Sequence, residues 1–199
     1  MRYSQFGQDE WVLKTIPDGK YFVDIGAGDG IRFSNTFALE RAGWKGICVE
    51  PHLAQYRKLR QNRRCHRCRY AVAARSNTMV PFWEGLGGLN GLSGIVGYFQ
   101  DDHRRNPSKG RIVARKTISL VDLLKKFGAP EAIDYLSIDT ENSEYMILKA
   151  FDFSYTFKSI TIEHNNLEKK REATKRLLES HGYKRVGILE VDDLYLYDH

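Results

Sequence analysis

Long apolar runs are absent from this chain, although hydrophobic residues make up 42% of its 199 residues. A helix that crosses a bilayer needs roughly 20 consecutive apolar residues, and no stretch approaches that length. Residues 1–9 are polar and lack the apolar centre of a secretory signal peptide. The sequence therefore predicts a soluble, cytoplasmic protein with no membrane partner.

Cysteine is scarce as well. The chain has only Cys48, Cys65 and Cys68, too few for a disulfide framework. The segment Cys65-His66-Arg67-Cys68 has the spacing of half a zinc site, but no second pair of cysteines or histidines lies at a matching distance. Structural zinc is therefore not predicted, and a redox disulfide within this segment is an alternative without further support.

A strong charge of one sign is also missing, since 31 Lys and Arg against 25 Asp and Glu give a net charge of +6. Part of the excess is local, at Arg57, Lys58, Arg60, Arg63, Arg64, Arg67 and Arg69. Such a run is usually the solvated face of a helix and its exit; the alternative is a patch for nucleic acid or another anionic ligand. The length suits one domain with a substantial core, so we predict a single domain over residues 1–199.

What the chain does have is a glycine-rich turn after its first apolar run. Residues 21–25 read as a buried strand, and Gly26-Ala27-Gly28-Asp29-Gly30 follows. Glu50 ends the next apolar run, as the acid does in α/β domains that hold a ribose-bearing cofactor. The glycines let the backbone approach the ligand, and the acid accepts hydrogen bonds from ribose hydroxyls. An ordinary strand-to-helix turn is the alternative, and the placement of Asp24 and Glu50 makes it the poorer explanation.

The amino-acid sequence of this turn narrows the choice of cofactor. Ile31 stands where the third glycine of a dinucleotide turn would be, and Asp24 and Asp29 lie inside the turn. Two carboxylates repel a pyrophosphate but attract an ammonium group and a sulfonium. The turn therefore favours S-adenosylmethionine over NAD.

The rest of the chain alternates between strand and helix patterns, which predicts an α/β, doubly wound and mostly parallel sheet. We expect helices at 35–42, 120–127, 143–150 and 167–180, and a further helix that begins at Pro51. We expect strands at 69–74, 79–83, 112–117, 133–139 and 159–163. A closing hairpin is expected at 183–188 and 194–197. Residues 84–110 are rich in glycine and predict a lid or mobile loop inside the domain. Tyr98 and Phe99 within it could cover a substrate, or could simply pin the loop.

Polar side chains follow several of the predicted strands. Ligands of open α/β sheets bind beyond the carboxyl ends of the strands, so these groups should converge on one crevice. Each has an ordinary explanation alone: a helix cap for Asp139, a lysine partner for Glu163, a structural role for His164. As a set they predict an active site; its members are Asp24, Glu50, Asp139, Glu141, Glu163, His164 and Asn165.

The chain resembles the FkbM-type methyltransferase family over most of its length. The resemblance rests on Ser4-Gln5-Phe6-Gly7-Gln8-Asp9, Val23-Asp24-Ile25-Gly26-Ala27-Gly28-Asp29-Gly30, Cys48-Val49-Glu50-Pro51, Asn62-Arg63 and Ile138-Asp139-Thr140-Glu141-Asn142-Ser143-Glu144. The family usually has glycine at the position of Asn142. The resemblance implies a class I methyltransferase (Rossmann-like) fold with seven strands and a C-terminal antiparallel hairpin. It also implies S-adenosylmethionine as donor and O-methylation, often of a sugar or polyketide hydroxyl.

By position, the resemblance also implies which residues hold the cofactor. Residues 24–30 would hold the methionine part, Glu50 the ribose, and Ala71 and Val72 the edge of the adenine. The full expected set is Gln8, Asp24, Gly26, Ala27, Gly28, Asp29, Gly30, Asn35, Glu50, Pro51, Ala71, Val72 and Asp139.

Two mechanisms remain open for the acceptor hydroxyl. A general base can remove its proton, which makes Asp139, Glu163 and His164 the expected catalytic residues. A bound Mg²⁺ can instead acidify and orient the hydroxyl, and Asp139, Glu163 and Asn165 offer the oxygen ligands that this ion prefers.

Two other functions compete with small-molecule methylation. The basic segment favours an RNA ribose methyltransferase, whereas the acidic crevice, with Glu163 where such enzymes usually have a lysine, opposes it. A non-catalytic module that binds the cofactor is the other rival, and the acidic set argues against it.

Overall fold

The computed structural model describes residues 3–98 and 109–198. Its helices are α1 Gln8–Thr15, α2 Phe37–Arg41, α3 Leu53–Asn62, α4 Leu120–Phe127, α5 Glu144–Lys149 and α6 Glu168–Glu179, with a 3₁₀ helix at Gly87–Leu92. Its strands are β1 Tyr21–Ile25, β2 Lys45–Val49, β3 His66–Cys68, β4 Ala71–Val72, β5 Met79–Gly85, β6 Gly94–Ile95, β7 Gly110–Ile118, β8 Ala132–Ile138, β9 Thr156–Glu163, β10 Tyr183–Leu189 and β11 Asp192–Tyr197.

The main sheet has seven strands in the order β10-β11-β9-β8-β1-β2-β3. Strands β9, β8, β1, β2 and β3 run parallel to one another, and the hairpin β10–β11 joins them antiparallel to β9. The order reverses on either side of β1, so a crevice opens at its carboxyl end. The predicted class I methyltransferase fold, with its α/β doubly wound sheet and C-terminal hairpin, is confirmed.

The core lies on both faces of this sheet because successive side chains of each strand point in opposite directions. Phe22 and Tyr135 belong to one buried cluster, whereas Val23 and Leu136 belong to the other. Strands buried on both faces need continuous apolar runs, which is why β1 and β8 could be recognised in the sequence.

The third predicted strand, 69–74, is wrong in its bounds. The chain pairs with β2 over the earlier strand β3 and then leaves the main sheet. Strand β4 pairs instead with β7, as part of a second sheet in the order β4-β7-β5-β6. Two short pairings with different partners replace the one continuous strand that the apolar pattern indicated.

The predicted insert over residues 84–110 is partly built from regular structure. Its described portion holds the end of β5, the 3₁₀ helix and β6, which pairs antiparallel with β5. Phe99 and residues 100–108 lie outside the described residues. The lid role of this segment stays a prediction.

Candidate functional site

A cleft of about 730 Å³ opens at the carboxyl ends of β1, β2, β8 and β9. Most of the predicted site residues line it, whereas Gly30 and His164 do not. The predicted residues that line the cleft are Gln8, Asp24, Gly26, Ala27, Gly28, Asp29, Asn35, Glu50, Pro51, Ala71, Val72, Asp139, Glu141, Glu163 and Asn165.

Gly26 joins the ends of three strands at the floor of the cleft. The N–H groups of Gly26 and Ala27 both donate to the Val49 carbonyl at 3.0 Å, and Asp139 N–H donates to the Ile25 carbonyl at 2.9 Å. Gly26 has φ +100°, and a Cβ there would lie 1.8 Å from the Asp139 carbonyl oxygen. Glycine is therefore required here both by the backbone conformation and by the close approach of β8.

Gly28 presents open backbone to the cleft. It also has a positive φ, of +56°, but a Cβ added there would meet nothing within 4 Å. The turn therefore leaves room for a ligand beside Gly28, as a cofactor cradle must.

Glu50 fastens this turn to the start of α3. Its two carboxylate oxygens accept from Gly28 N–H at 2.9 Å and from His52 N–H at 2.7 Å. Burial raises the pKa of Glu50 to about 8. Each carboxylate oxygen can accept a second hydrogen bond, so the position fits the ribose role that the sequence predicts.

The two aspartates of the turn are already engaged. Asp24 is buried and accepts from the Thr36 hydroxyl, and its burial raises its pKa. Asp29 accepts from the N–H groups of Ile31 at 2.9 Å and Arg32 at 2.8 Å, which closes its own turn. Both carboxylates therefore stabilise the conformation of the loop through the hydrogen bonds that they accept.

Arg63 has a structural role that the sequence did not predict, although Asn62-Arg63 is part of the family resemblance. Its side chain is fully buried, pairs with Glu40 at 2.6 Å, and donates to the Gly30 carbonyl at 3.2 Å and the Thr36 hydroxyl at 3.0 Å. It thereby ties the exit of the glycine turn to α3. The available signal was its spacing, because Arg63 follows the buried Leu59 by four residues and so shares its helix face.

The second sheet forms another wall of the cleft. Phe82 and Ile95 line it beside Ala71 and Val72, at the predicted adenine edge. No sequence pattern placed these residues there, because the turn of the chain from β3 into the second sheet was not predicted.

Glu84 attaches this second sheet to α3. Its buried carboxylate accepts from Leu53 N–H at 2.9 Å and pairs with Arg111 at 2.9 Å and with Arg115. Arg115 Nε also donates to the Pro51 carbonyl at 2.7 Å. Burial opposes ionisation of Glu84, but these donors outweigh it and lower its pKa.

Three carboxylates meet at the far end of the cleft. Ligand atoms of Asp139, Glu141 and Glu163 all lie within 4.8 Å of one another. Enclosure by the protein raises the pKa of Asp139 and of Glu163, and repulsion among these neighbouring carboxylates raises both further. Asn165, predicted as a metal ligand, donates its amide to Glu163.

Glu144 holds the loop that presents Glu141. Its Oε1 accepts from Thr140 N–H at 2.8 Å, the Thr140 hydroxyl at 2.9 Å and Asn142 N–H at 3.1 Å. Glu141 and Asn142 have φ +57° and +85°. A φ of +85° favours glycine, and asparagine is among the residues that tolerate this region best, which accounts for Asn142 at that position.

Asp192 is a cleft residue that sequence reasoning missed. It lies directly across from Glu163 in the β9–β11 pairing, accepts from the Gln8 amide, and lines the cleft. Burial raises its pKa to about 6. The predicted hairpin strand begins at residue 194 and so places Asp192 in the turn. The sequence signal for the longer strand is that Asp192 lies two residues before the buried Leu194 and therefore shares its face.

His164 lies apart from the cleft. It lines a separate cavity of about 20 Å³ with Arg171, Asp193 and Tyr195. Its Nδ1 accepts from Asn166 N–H at 3.1 Å, and its burial lowers its pKa. The structure thus brings Asp139 and Glu163 together in the cleft, whereas His164 borders the smaller cavity, which Glu163 also lines, because consecutive residues at the end of β9 point to opposite sides.

Among residues 3–98 and 109–198, no helix combines the length and the apolar character that crossing a lipid bilayer requires.

Comparison with known proteins gives a family and a distant structural likeness. A sequence model described as the methyltransferase FkbM domain matches residues 24–185. No curated protein matches the chain. A solved structure described as the hMettl16 catalytic domain in complex with MAT2A 3'UTR hairpin 6 is similar at 12% identity and a TM-score of 0.41, covering 96% of this chain and 68% of that one.

The family match spans the glycine turn, Glu50 and the Asp139–Glu163 end of the cleft, which the fold brings together beside β1. It covers most of the chain, and the seven-stranded sheet agrees with it. The chain therefore belongs to the FkbM family of S-adenosylmethionine-dependent methyltransferases.

Proposed function

We propose that the protein is an O-methyltransferase that acts on a hydroxyl of an uncharged small molecule, with a sugar or a polyketide-like molecule as the acceptor. The observation that carries the proposal is the group of carboxylates Asp139, Glu141, Glu163 and Asp192 at one end of the cleft. Carboxylates accept hydrogen bonds from hydroxyl groups, so this end of the cleft suits a polyhydroxylated acceptor.

The opposite end of the cleft suits the donor. The backbone at Gly26 and Gly28 offers a close approach, and Glu50 offers carboxylate oxygens. When bound there, S-adenosylmethionine supplies a methyl group on a positively charged sulfur. The chain's own contribution is to hold the acceptor oxygen in line with that methyl group, which accounts for much of the rate gain in such reactions.

Asp139 is the residue we assign to the proton of the acceptor hydroxyl. It lies between the glycine turn and the other carboxylates, and burial and these neighbouring carboxylates raise its pKa, which makes it a stronger base than an ordinary aspartate. His164 is the weaker candidate, because it lines another cavity. Glu163 and Asp192 then bind and orient the acceptor.

A divalent cation is the second mechanism that the geometry supports. Asp139, Glu141 and Glu163 group oxygen atoms within 4.8 Å, and Mg²⁺ prefers such hard ligands. A cation held there would acidify the acceptor hydroxyl in place of a protein base. Glu141 takes the place of Asn165 in this set.

Nucleic acid is the less favoured acceptor. Among the described residues that line the cleft, the cationic side chains are Arg32 and Lys58, on the loop after the glycine turn and on α3. The acceptor end presents carboxylates, which repel phosphates. The exposed arginines that follow α3, such as Arg64 and Arg69, are what would support an RNA acceptor instead.

The test is methyl transfer from radiolabelled S-adenosylmethionine to panels of sugars, polyketides and RNA. We expect label in a sugar or polyketide, and a loss of about 10²–10⁴ in turnover for Asp139→Asn, far larger than its effect on cofactor affinity. A chelator separates the two mechanisms: activity that is lost and then restored by Mg²⁺ assigns the carboxylates to the cation. Label in RNA alone, or full turnover in Asp139→Asn, would contradict the proposal.

A further inference from the structure

Two of the three cysteine sulfurs lie side by side. Cys65 Sγ is 3.5 Å from Cys48 Sγ, and no disulfide joins them. Cys48 is fully buried at the end of β2, two residues before Glu50, and Cys65 is partly exposed in the bend before β3. One thiol is thus accessible to a reagent and the other is its immediate neighbour.

The spacing Cys65-x-x-Cys68 points to a different pair from the one that the fold creates. Cys65 packs against the core cluster that contains Cys48, whereas Cys68 belongs to the cluster on the other face of the sheet. The pair that can react is therefore Cys48 with Cys65, and Cys68 is left without a thiol partner of this kind.

The bend that carries Cys65 is attached to the cofactor loop. Arg64 N–H donates to Glu40 at 2.7 Å, and the same carboxylate pairs with Arg63. Cys48 Sγ in turn lies 4.0 Å from the Thr36 hydroxyl, which binds Asp24. A displacement of the bend would therefore move Arg63, which donates to the Gly30 carbonyl, and with it the glycine turn.

Cross-linking requires the two sulfurs to move closer together. A disulfide bond is about 2.05 Å long, well short of the 3.5 Å that separates the sulfurs. In the pairing of β2 with β3, Cys48 lies opposite Arg67, so Cys65 is two residues before the residue that faces Cys48. Cys65 precedes the first paired residue of β3, whereas Cys48 is paired with strands on both sides, so the bend is less constrained by strand pairing than Cys48 is.

We propose that Cys48 and Cys65 form an oxidation site, whose disulfide pulls the bend towards β2 and weakens cofactor binding. With hydrogen peroxide as oxidant, the Cys65 thiol releases its proton, and the thiolate attacks one oxygen and becomes a sulfenic acid. The hydroxide that leaves takes up that proton and becomes water. Cys48 sulfur then attacks Cys65 sulfur, its proton leaves with the hydroxyl as a second water, and the disulfide forms. Two thiols are oxidised and one peroxide is reduced to two waters.

Trypsin makes the site easy to map, because it places each cysteine on its own peptide: residues 46–57, 65–67 and 68–69. The folded protein is treated with hydrogen peroxide, the remaining thiols are alkylated, and the digest is analysed by mass spectrometry. We expect peptide 46–57 joined to peptide 65–67, with two hydrogen atoms lost and Cys68 alkylated. Cys65→Ser should abolish the cross-link, and the matched variant Cys68→Ser should retain it.

The second readout is calorimetry with S-adenosylmethionine on the reduced, oxidised and re-reduced protein. Loss of one charge-assisted contact of Arg63 would weaken binding about tenfold, and a reductant should restore it. Peroxide-treated Cys65→Ser should bind like the reduced protein. The calorimetry rests on the proposed function, whereas the peptide map does not. A protein that does not bind S-adenosylmethionine would therefore still show the cross-link in the peptide map.

Three results would overturn the inference. They are a Cys65–Cys68 or intermolecular disulfide, a Cys65 oxidised to sulfinic acid without any cross-link, and a full Cys48–Cys65 cross-link that leaves the affinity of the reduced protein unchanged.

Discussion

Gly26 combines two constraints that can be separated by experiment. Gly26→Ala introduces both an unfavourable φ of +100° and a Cβ 1.8 Å from the Asp139 carbonyl. Gly43→Ala is the matched control, since Gly43 has φ +93° but nothing within 4 Å of an added Cβ. We expect the control to lower the free energy of unfolding by about 1–2 kcal/mol through backbone strain alone. Gly26→Ala should lower it further and weaken cofactor binding.

Urea unfolding and calorimetry measure the two effects. Equal destabilisation by Gly26→Ala and Gly43→Ala would show that β8 can move away from the turn without loss, and that Gly26 is needed only for its backbone conformation.

Asp192 and Asp193 are neighbours with opposite surroundings, which makes them a matched pair. Asp192 faces the cleft, whereas Asp193 pairs with Arg171 at 2.7 Å away from it. Asp192→Asn should lower kcat/KM for the acceptor about tenfold, because a charge-assisted contact to the hydroxyl groups is lost. Asp193→Asn should lower the unfolding free energy and leave kcat/KM unchanged.

Steady-state kinetics with the acceptor identified by the methylation panels checks this pair. An unchanged kcat/KM in Asp192→Asn would remove Asp192 from the acceptor site. A loss of the same size in Asp193→Asn would mean that the whole hairpin turn, rather than one carboxylate, shapes the site.

The buried carboxylate of Glu84 attaches β5 to the start of α3, beside a contact between His52 Nε2 and the Gly85 carbonyl at 2.9 Å. Glu84→Gln would leave Arg115, whose side chain is 17% exposed, without its anionic partner. We expect faster hydrogen exchange in β5 and β7 and weaker cofactor binding, because the wall formed by Phe82 and Ile95 loses its attachment.

Arg111→Gln is the control for this change, since Arg111 is 59% exposed and its ion pair with Glu84 should contribute little. Exchange rates in Glu84→Gln that match those of the wild type would show that the second sheet stays in place without the Glu84 carboxylate.

The protein as a whole should lose stability as the pH rises, because its cleft encloses carboxylates. The pKa of Glu50 is about 8 in the folded protein and 4.5 ordinarily. Between these values the folded state holds a proton that the unfolded state has released. The free energy of unfolding therefore falls as the pH rises from about 4.5 to about 8, and this contribution is flat outside that window.

Glu50→Gln lacks this contribution, so its stability relative to the wild type should rise with pH across the same window. Urea titrations of both proteins at about pH 5 and about pH 8 measure the difference. A difference that does not change between these pH values would show that Glu50 is ionised throughout in the folded protein.

Several features were predictable because they depend on residues close together in the chain. Buried strands such as β1 and β8 require continuous apolar runs, and the glycine turn requires its own residues in their own order. The positions of Glu50 and Asp139 followed from one further rule, that parallel strands end at the same edge of a sheet. The resemblance to the family rested on these same local segments.

Other features depend on residues far apart, and only the folded chain decides them. Which side of the sheet His164 or Asp192 faces depends on strand register, and a shift of one residue reverses it. Asn62-Arg63 is part of the family resemblance, but only the fold shows that Arg63 is buried among Glu40, Gly30 and Thr36. Cys65 has Cys68 near it in sequence but Cys48 near it in space. Successive side chains of a strand point to opposite faces of the sheet, and β2 brings Cys48 to the face on which Cys65 packs.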